Sequence, residues 1–269
     1  MNDKSEYSTK PSIREVYSST FAKELQIIMT LLHNYPFIAI DTSYPGFIVA
    51  PKFYSYAGSK NNANILKLIQ LSISLSDKNG NFPPHPNNVI WQFNFKFSLQ
   101  TDQYNAESID YLREGGINFD NLYKDGIEHE QFRDVLNKTI LLCNDDLIWI
   151  CYNGLNDFTH FVQLITNEIL PQRKDDFIPL LLNFFPNIID VKRLLADKNL
   201  SINSLHEITM NTNCYMGIER IGEKGQAASD CYLAHASFIF LIQKKYLSLS
   251  SLLSRPVNHI SDTIKNLGM

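Results

Sequence analysis

The chain has little that would tie it to an export route or a membrane. Four cysteines are scattered over 269 residues, Cys143, Cys151, Cys214 and Cys231. No two form a CxxC pair, so neither a disulfide framework nor a zinc spacing can be read, and four reduced thiols are expected. No segment approaches the ~18 consecutive apolar residues of a membrane span. Residues 1–11 are polar and mixed in charge, unlike a secretory leader, and a short flexible lead over residues 1–12 is expected. A basic excess is also absent: 24 Lys and Arg face 28 Asp and Glu, a net charge of −4. That balance argues against a protein that grips nucleic acid through a broad basic face. It does not exclude a nuclease, because cations held in a local cleft can meet phosphate charge. Internal repeats, low-complexity stretches and Pro/Gly/Ser linkers are missing as well, which argues for one domain over residues 13–269. Cytoplasm and nucleus are the expected compartments.

What is present is ordinary globular composition, 44% hydrophobic and 19% charged. Ile13 to His33 carries apolar residues at helical spacing (Ile13, Val16, Phe21, Leu25, Ile28, Leu32) and reads as an amphipathic first helix. Asn34-Tyr35-Pro36 breaks it, and Phe37 to Asp41 follows as a short apolar strand. Ile65 to Ser76 reads as a strand that turns at Asp77–Asn81, with an Asn-Gly signal, and returns through Val89 to Phe97. Helices are expected over Ser108–Arg113, Glu128–Asn137, Asp157–Leu164 and Asp176–Phe184. Short strands are expected at Leu147–Tyr152 and Ile188–Ile189, and Ala227 to Leu247 reads as a long helix buried against a sheet. This order predicts an α/β fold, a mixed central sheet flanked by helices.

Three aspartates stand out by position. Asp41 lies at the exit of a buried strand, Asp157 at the start of a helix just after another strand, and Asp230 in the first turns of the long helix. Carboxylates brought together from strand ends build sites for hard divalent cations in α/β folds. Each also has a plain structural reading: Asp41 as a turn cap, Asp157 as a helix N-cap, Asp230 as a solvated helix residue.

The residues around these aspartates carry a resemblance over positions 13–245. It rests on IREVY (13–17), YPFIAIDTSYPGFIVAP (35–51), ILKLIQLSISLSDKNGN (65–81), WQFNFKF (91–97) and SIDYLREGGINF (108–119). NDFTHF (156–161), NFFPNIIDVKRLL (183–195) and IERIGEKGQAASD (218–230) complete it. In this order the blocks resemble the CCR-associated-factor (Pop-type) deadenylases, DEDD-class nucleases of the CCR–NOT complex. The resemblance implies an RNase H-like fold and removal of poly(A) from the 3′ end of mRNA with release of AMP. It also implies a two-metal site for Mg²⁺ or Mn²⁺. As partners it implies the poly(A) tail, a CCR–NOT scaffold subunit and a second deadenylase, with roles in mRNA decay and transcription regulation.

Carried onto this chain, the resemblance makes Asp41, Asp157 and Asp230 the catalytic, metal-binding carboxylates. Two departures accompany them. Ser43 stands where the family has a glutamate two residues after the first aspartate, a spacing that puts both side chains on one face of a strand. Gly225 stands where the family has the histidine base five residues before the last aspartate. Loss of a general base costs about 10²–10⁴-fold, so weakened activity is expected. The same two departures support a rival reading, a catalytically inert interaction subunit. Action on a different RNA or DNA 3′ end is a third. Glu223, His160 and His235 are the side chains weighed as replacement bases, the two histidines reading better as surface or satisfied core groups, and Asp190 reads as structural or cleft-lining. Tyr44, Phe47, Lys67 and Phe158 are the candidate substrate contacts, as stacking platforms and backbone contacts, and all but Tyr44 read better as core or sheet packing.

Overall fold

The computed structural model describes residues 10–49, 55–197, 205–210, 216 and 218–244. Six strands form one sheet: β1 (Ser12–Val16), β2 (Phe37–Ser43), β3 (Gln70–Ser76), β4 (Val89–Asn94), β5 (Ile148–Cys151) and β6 (Ile188–Asp190). Their spatial order is β1-β4-β3-β2-β5-β6. The hairpin strands β3 and β4 are antiparallel, as are β2 and β3, whereas β1–β4, β2–β5 and β5–β6 are parallel. The sheet is therefore mixed, as expected from the sequence.

Helices cover both faces, and the alternation of side chains along each strand decides which face meets which helix. Ile38 and Ile40 of β2, with Leu71, Ile73 and Leu75 of β3, pack with α1 (Phe21–Leu31), α5 (His129–Leu136), α6 (Leu155–Thr166) and α7 (Lys174–Phe184). Phe37, Ala39, Ile90, Ile148 and Ile150 face the opposite way. They pack under the helix from Ala227 to Gln243 together with Val191, Leu195 and Ile208. That helix lies across β2, β3, β4 and β5, and most of its residues are buried.

Several expectations need correction. The first helix does not run from Ile13 to His33. Residues 12–16 are β1, in register with Val89 to Phe93, and the helix begins only at Phe21. The helical spacing of Ile13 and Val16 is overridden by an open edge on β4. Thr20 then closes a turn, its N–H and hydroxyl both donating to the Tyr17 carbonyl, and Ser/Thr side chains of this kind compete with helix. Residues 10–12, assigned to a flexible lead, are placed: Lys10 pairs with Glu219 and Ser12 opens β1. Strand β3 starts at Gln70 rather than Ile65, because the N–H groups of Ile65 and Leu66 turn back onto the Asn62 carbonyl. β4 ends at Asn94, with Phe95 making one isolated bridge to Ile127. The Asp77–Asn81 turn forms as read, with Gly80 at a φ of +82°.

Four short helices were not read: α2 (Tyr56–Ala63), α4 (Phe119–Asp125), α8 (Val191–Asp197) and α9 (Leu205–Met210). The helix expected at 108–113 is α3 (Ala106–Glu114). The long helix, α10, ends at Gln243, and its expected last residues 245–247 lie outside the described residues.

His235 of α10 belongs to the core. It is fully buried, with Nδ1 2.7 Å from Ser74 Oγ and Nε2 2.8 Å from Ser76 Oγ. Burial holds its pKa down to about 3, from 6.5. Between those values the unfolded chain takes up a proton that the folded chain refuses, so acid destabilises the fold from about pH 6.5 downward. Urea unfolding of wild type and His235→Gln across pH 4–7 tests this. The acid slope of the unfolding free energy is expected to shrink by about 1.4 kcal/mol per pH unit in the variant. An unchanged slope would contradict a neutral buried His235.

Candidate active site

The site forms where β2 ends. Residues 37 and 39 face α10, so strand alternation puts Asp41 and Ser43 on that same face. Asp230 comes to them on the first turns of α10, and Asp157 from the first turn of α6, just beyond β5. The structure thus gathers the three aspartates that the sequence singled out.

Each carboxylate is met differently. Asp157 is buried, and its Oδ1 accepts from the Thr42 N–H (3.0 Å) and from the Thr42 hydroxyl (2.6 Å). It is not the N-cap of α6, a position taken by Gly154. Burial raises its pKa, the two Thr42 bonds oppose that rise, and nearby Asp190 adds to it. Asp230 is paired with Arg220, whose Nη1 also donates to Ser229 Oγ at 2.8 Å. Among the described residues Asp41 accepts no hydrogen bond and makes no ion pair. Its pKa stands well above the usual carboxylate range, first through desolvation, then through the charges of Asp157 and Asp230, with Arg220 pulling the other way.

The two departures touch one another. Ser43 Oγ donates to the Gly225 carbonyl at 3.2 Å. Gly225 has a φ of +97°, and a Cβ there would lie 2.9 Å from Tyr111 Cε1. The ring of Tyr111, 44% exposed, fills the side on which a residue at 225 would project. Its phenol pKa is raised by burial and by Asp230, with Arg220 opposing. The phenol thus stays protonated at neutral pH.

The start of α10 is fixed by the sheet. Gln70 Oε1 accepts from the Ala227 N–H (3.2 Å) and Gln92 Oε1 from the Ala228 N–H (2.8 Å), which meets two of the helix's orphan donors. Gln70 bonds to Asn94 (2.9 Å), Asn94 to Glu15 (2.6 Å), and Gln92 to both Glu15 and Gln226 (2.9 Å each). Gln226 closes the chain on the Gly115 carbonyl at 2.7 Å. These glutamines escaped the sequence reading, as did Thr42, Tyr111 and Arg220. Arg220 sits inside the quoted block 218–230, and its charge was the available signal. The others depend on which strand lies beside which.

The remaining candidates separate. Tyr44 follows Ser43, stacks on His160 (4.4 Å, 12°) and meets Phe47 edge-on (5.6 Å), a small aromatic cluster beside the carboxylates. Gly46 turns the chain here, since a Cβ would lie 2.0 Å from Ser108 Oγ. Phe158 is corrected as a substrate contact: it is 3% exposed and packs on Phe185 in the core. Lys67 is exposed and pairs with Asp102 at 2.7 Å. Asp190 accepts from the N–H groups of Asn153 (2.9 Å), Lys192 (3.0 Å) and Gly154 (3.4 Å) and so shapes the loop before α6. His160 is buried, with Nδ1 on the Asn156 carbonyl and Nε2 without a partner. Desolvation lowers its pKa to about 4. Glu223 is exposed on the loop before α10.

A family comparison decides what this arrangement belongs to. The sequence model of the CAF1 family ribonucleases matches residues 16–139 and 129–232. The chain belongs to the CAF1 ribonuclease family. It is 35% identical over 236 residues to probable CCR4-associated factor 1 homolog 10 of Arabidopsis thaliana, covering 84% of each chain. It is 32% identical over 255 residues to the poly(A) ribonuclease pop2 of Schizosaccharomyces pombe, covering 92% of this chain and 74% of that one. Among solved structures it is similar to S. pombe Pop2p in its Mg²⁺- and Mn²⁺-bound form (TM-score 0.81, 31% identity, 89% and 96% of the two chains). It is also similar to CAF1 co-crystallised with the yeast NOT1 MIF4G domain (TM-score 0.75, 27% identity, 89% and 92%). The mixed sheet with helices on both faces is the RNase H-like nuclease fold of these CAF1 ribonucleases.

Carboxylates are the donors that a hard divalent cation prefers: Asp41, Asp157 and Asp230 act on one another, and the Asp41 carboxylate accepts no hydrogen bond among the described residues. Among the described residues no three His, Cys, Asp or Glu side chains are gathered closely enough to clasp an ion. The reason is visible in Asp157 and Asp230, which are turned to Thr42 and Arg220.

Restoring histidine alone at position 225 is expected to fail. A non-glycine residue at this φ costs about 1–2 kcal/mol, and the Tyr111 ring stands in its path. Gly225→His is expected to lose about that much stability in chemical denaturation, and part of the loss is expected to return in a Tyr111→Ala background. Wild-type stability in Gly225→His would contradict the packing described.

Proposed function

We propose that the chain is a 3′→5′ exoribonuclease acting on the poly(A) tail of mRNA, weakened by Ser43 and Gly225. The observation that carries this reading is the convergence of Asp41, Asp157 and Asp230 around an unpartnered Asp41 carboxylate. Membership of a ribonuclease family, and likeness to a poly(A) ribonuclease, supply the substrate class. Asp41, Asp157 and Asp230 would hold Mg²⁺ or Mn²⁺. The bound cation would supply charge neutralisation at the phosphate and a water made acidic enough to yield hydroxide at neutral pH.

The protein's own residues do the rest. Thr42 holds Asp157 in place, and the glutamine-capped start of α10 holds Asp230. Hydrolysis breaks the bond from phosphorus to the 3′ oxygen of the shortened chain, and the phosphate leaves on AMP. Gly225 has no side chain to take the water's proton, and Ser43 Oγ is spent on the Gly225 carbonyl. Proton removal by a positioned base is therefore the missing contribution, about 10²–10⁴-fold. Tyr44 and Phe47 form the apolar edge on which a base could stack.

A role in a CCR–NOT assembly, docked on a scaffold subunit and beside a second deadenylase, is part of the proposal. It is supported by the likeness to CAF1 crystallised with the NOT1 MIF4G domain. Residence in nucleus and cytoplasm, and a part in mRNA decay and transcription regulation, go with that role.

Degradation of 5′-labelled oligo(A) with Mg²⁺ and then Mn²⁺ tests the reading. A slow shortening ladder, lost in Asp41→Ala, is the expected result. No ladder with either metal from folded protein would overturn the enzymatic reading.

A further inference from the structure

We propose that Arg220 is a built-in cation of the acidic site, so that the site takes one divalent ion, on Asp41 and Asp157, while Asp230 stays with the guanidinium. The inference rests on the proposed reading of these carboxylates as a metal centre and specifies its stoichiometry and its competitor.

Arg220 is doubly engaged. Its Nη1 donates to Asp230 Oδ1 and to Ser229 Oγ at 2.8 Å, and its side chain is only 16% exposed. It is therefore a part of the site wall rather than a solvated charge near it. An arginine guanidinium carries a permanent charge in proteins, so it does not make way for a metal by becoming neutral. An ion that wants Asp230 must displace it.

Charge points the same way. Two divalent cations carry four positive charges, which a set of four acidic ligands would balance. Here Ser43 contributes none, and its hydroxyl donates to the Gly225 carbonyl. Three carboxylates against one guanidinium leave two surplus negative charges, which one divalent cation cancels.

Where the ion would sit is marked by groups without partners. Among the described residues the Asp41 carboxylate accepts no hydrogen bond. Directly across the β2–β3 ladder from Asp41 is Ser72, whose hydroxyl is fully buried and has no partner. Opposed residues of an antiparallel pair project to the same face, so two unspent oxygen-bearing side chains lie next to one another. Buried polar groups are rarely left unpaired, and a hydrated cation satisfies both. Asp157 is the further carboxylate whose charge acts most on Asp41, and it is oriented by Thr42.

Counting bound Mn²⁺ on the whole chain by native mass spectrometry, with equilibrium dialysis for affinity, tests the proposal. Wild type is expected to hold one ion. Arg220→Gln, which removes the charge, is expected to bind a second ion or to bind the first at least tenfold more tightly, the scale on which outer groups set metal affinity. Arg220→Lys, which keeps the charge, is expected to match wild type, and a role in packing alone would not separate these two variants. Should Arg220→Gln not fold, Ser43→Glu, which restores a carboxylate, is expected to raise the count to two. Two ions on wild type would overturn the inference and leave the metal centre standing, as would wild-type binding in Arg220→Gln or a count of one in Ser43→Glu. No ion on wild type would overturn the metal centre as well.

Discussion

A carboxylate taken out of water is stable only when something meets its charge, and the aspartates gathered beyond the ends of β2, β5 and β6 and on the first turns of α10 are met in four different ways. Asp190 is met by backbone N–H groups, Asp157 by both donors of Thr42, Asp230 by Arg220. Asp41 accepts no hydrogen bond and makes no ion pair among the described residues, and Asp157 and Asp230 raise its pKa further against the pull of Arg220. The surrounding architecture holds this one unpartnered carboxyl in a fixed place.

That fixity comes from how α10 is seated. An apolar helix laid over a sheet gains from burial but is free to slide along its own axis. The side-chain oxygens of Gln70 and Gln92 remove that freedom by accepting from the first two N–H groups of the helix. The glutamines are themselves tied through Asn94 and Glu15 to the edge strand β1. A cap of this kind contributes about 0.5–2 kcal/mol. Its larger consequence is geometric, since Asp230 lies within the first turns that it fixes.

Much of this was legible in the sequence where the signal is local. The strands at 37–41 and 148–151, the Asp77–Asn81 turn and the apolar stretch from Ala227 follow from periodicity and turn chemistry. The placement of Asp41 and Ser43 on one face follows from strand alternation. What was missed depends on contacts between distant segments. The strand at Ser12–Val16 exists because β4 has an open edge, and it reads as helix when taken alone. The start of β3 is set by Asn62, and the burial of Phe158 by Phe185. The contact between Ser43 and Gly225 joins positions 182 residues apart, so the two positions where the resemblance expects a glutamate and a histidine meet in one place, with the Tyr111 ring beside Gly225.

The family assignment thus fits a nuclease in which the proposed cation ligands Asp41, Asp157 and Asp230 are present and glycine stands where the resemblance expects the histidine base. The most direct test is the location of the metal. Crystals soaked in Mn²⁺ and measured for anomalous scattering are expected to show a peak in contact with the Asp41 carboxylate. Absence of a peak at Asp41, at concentrations where the protein binds Mn²⁺ in solution, would contradict the account.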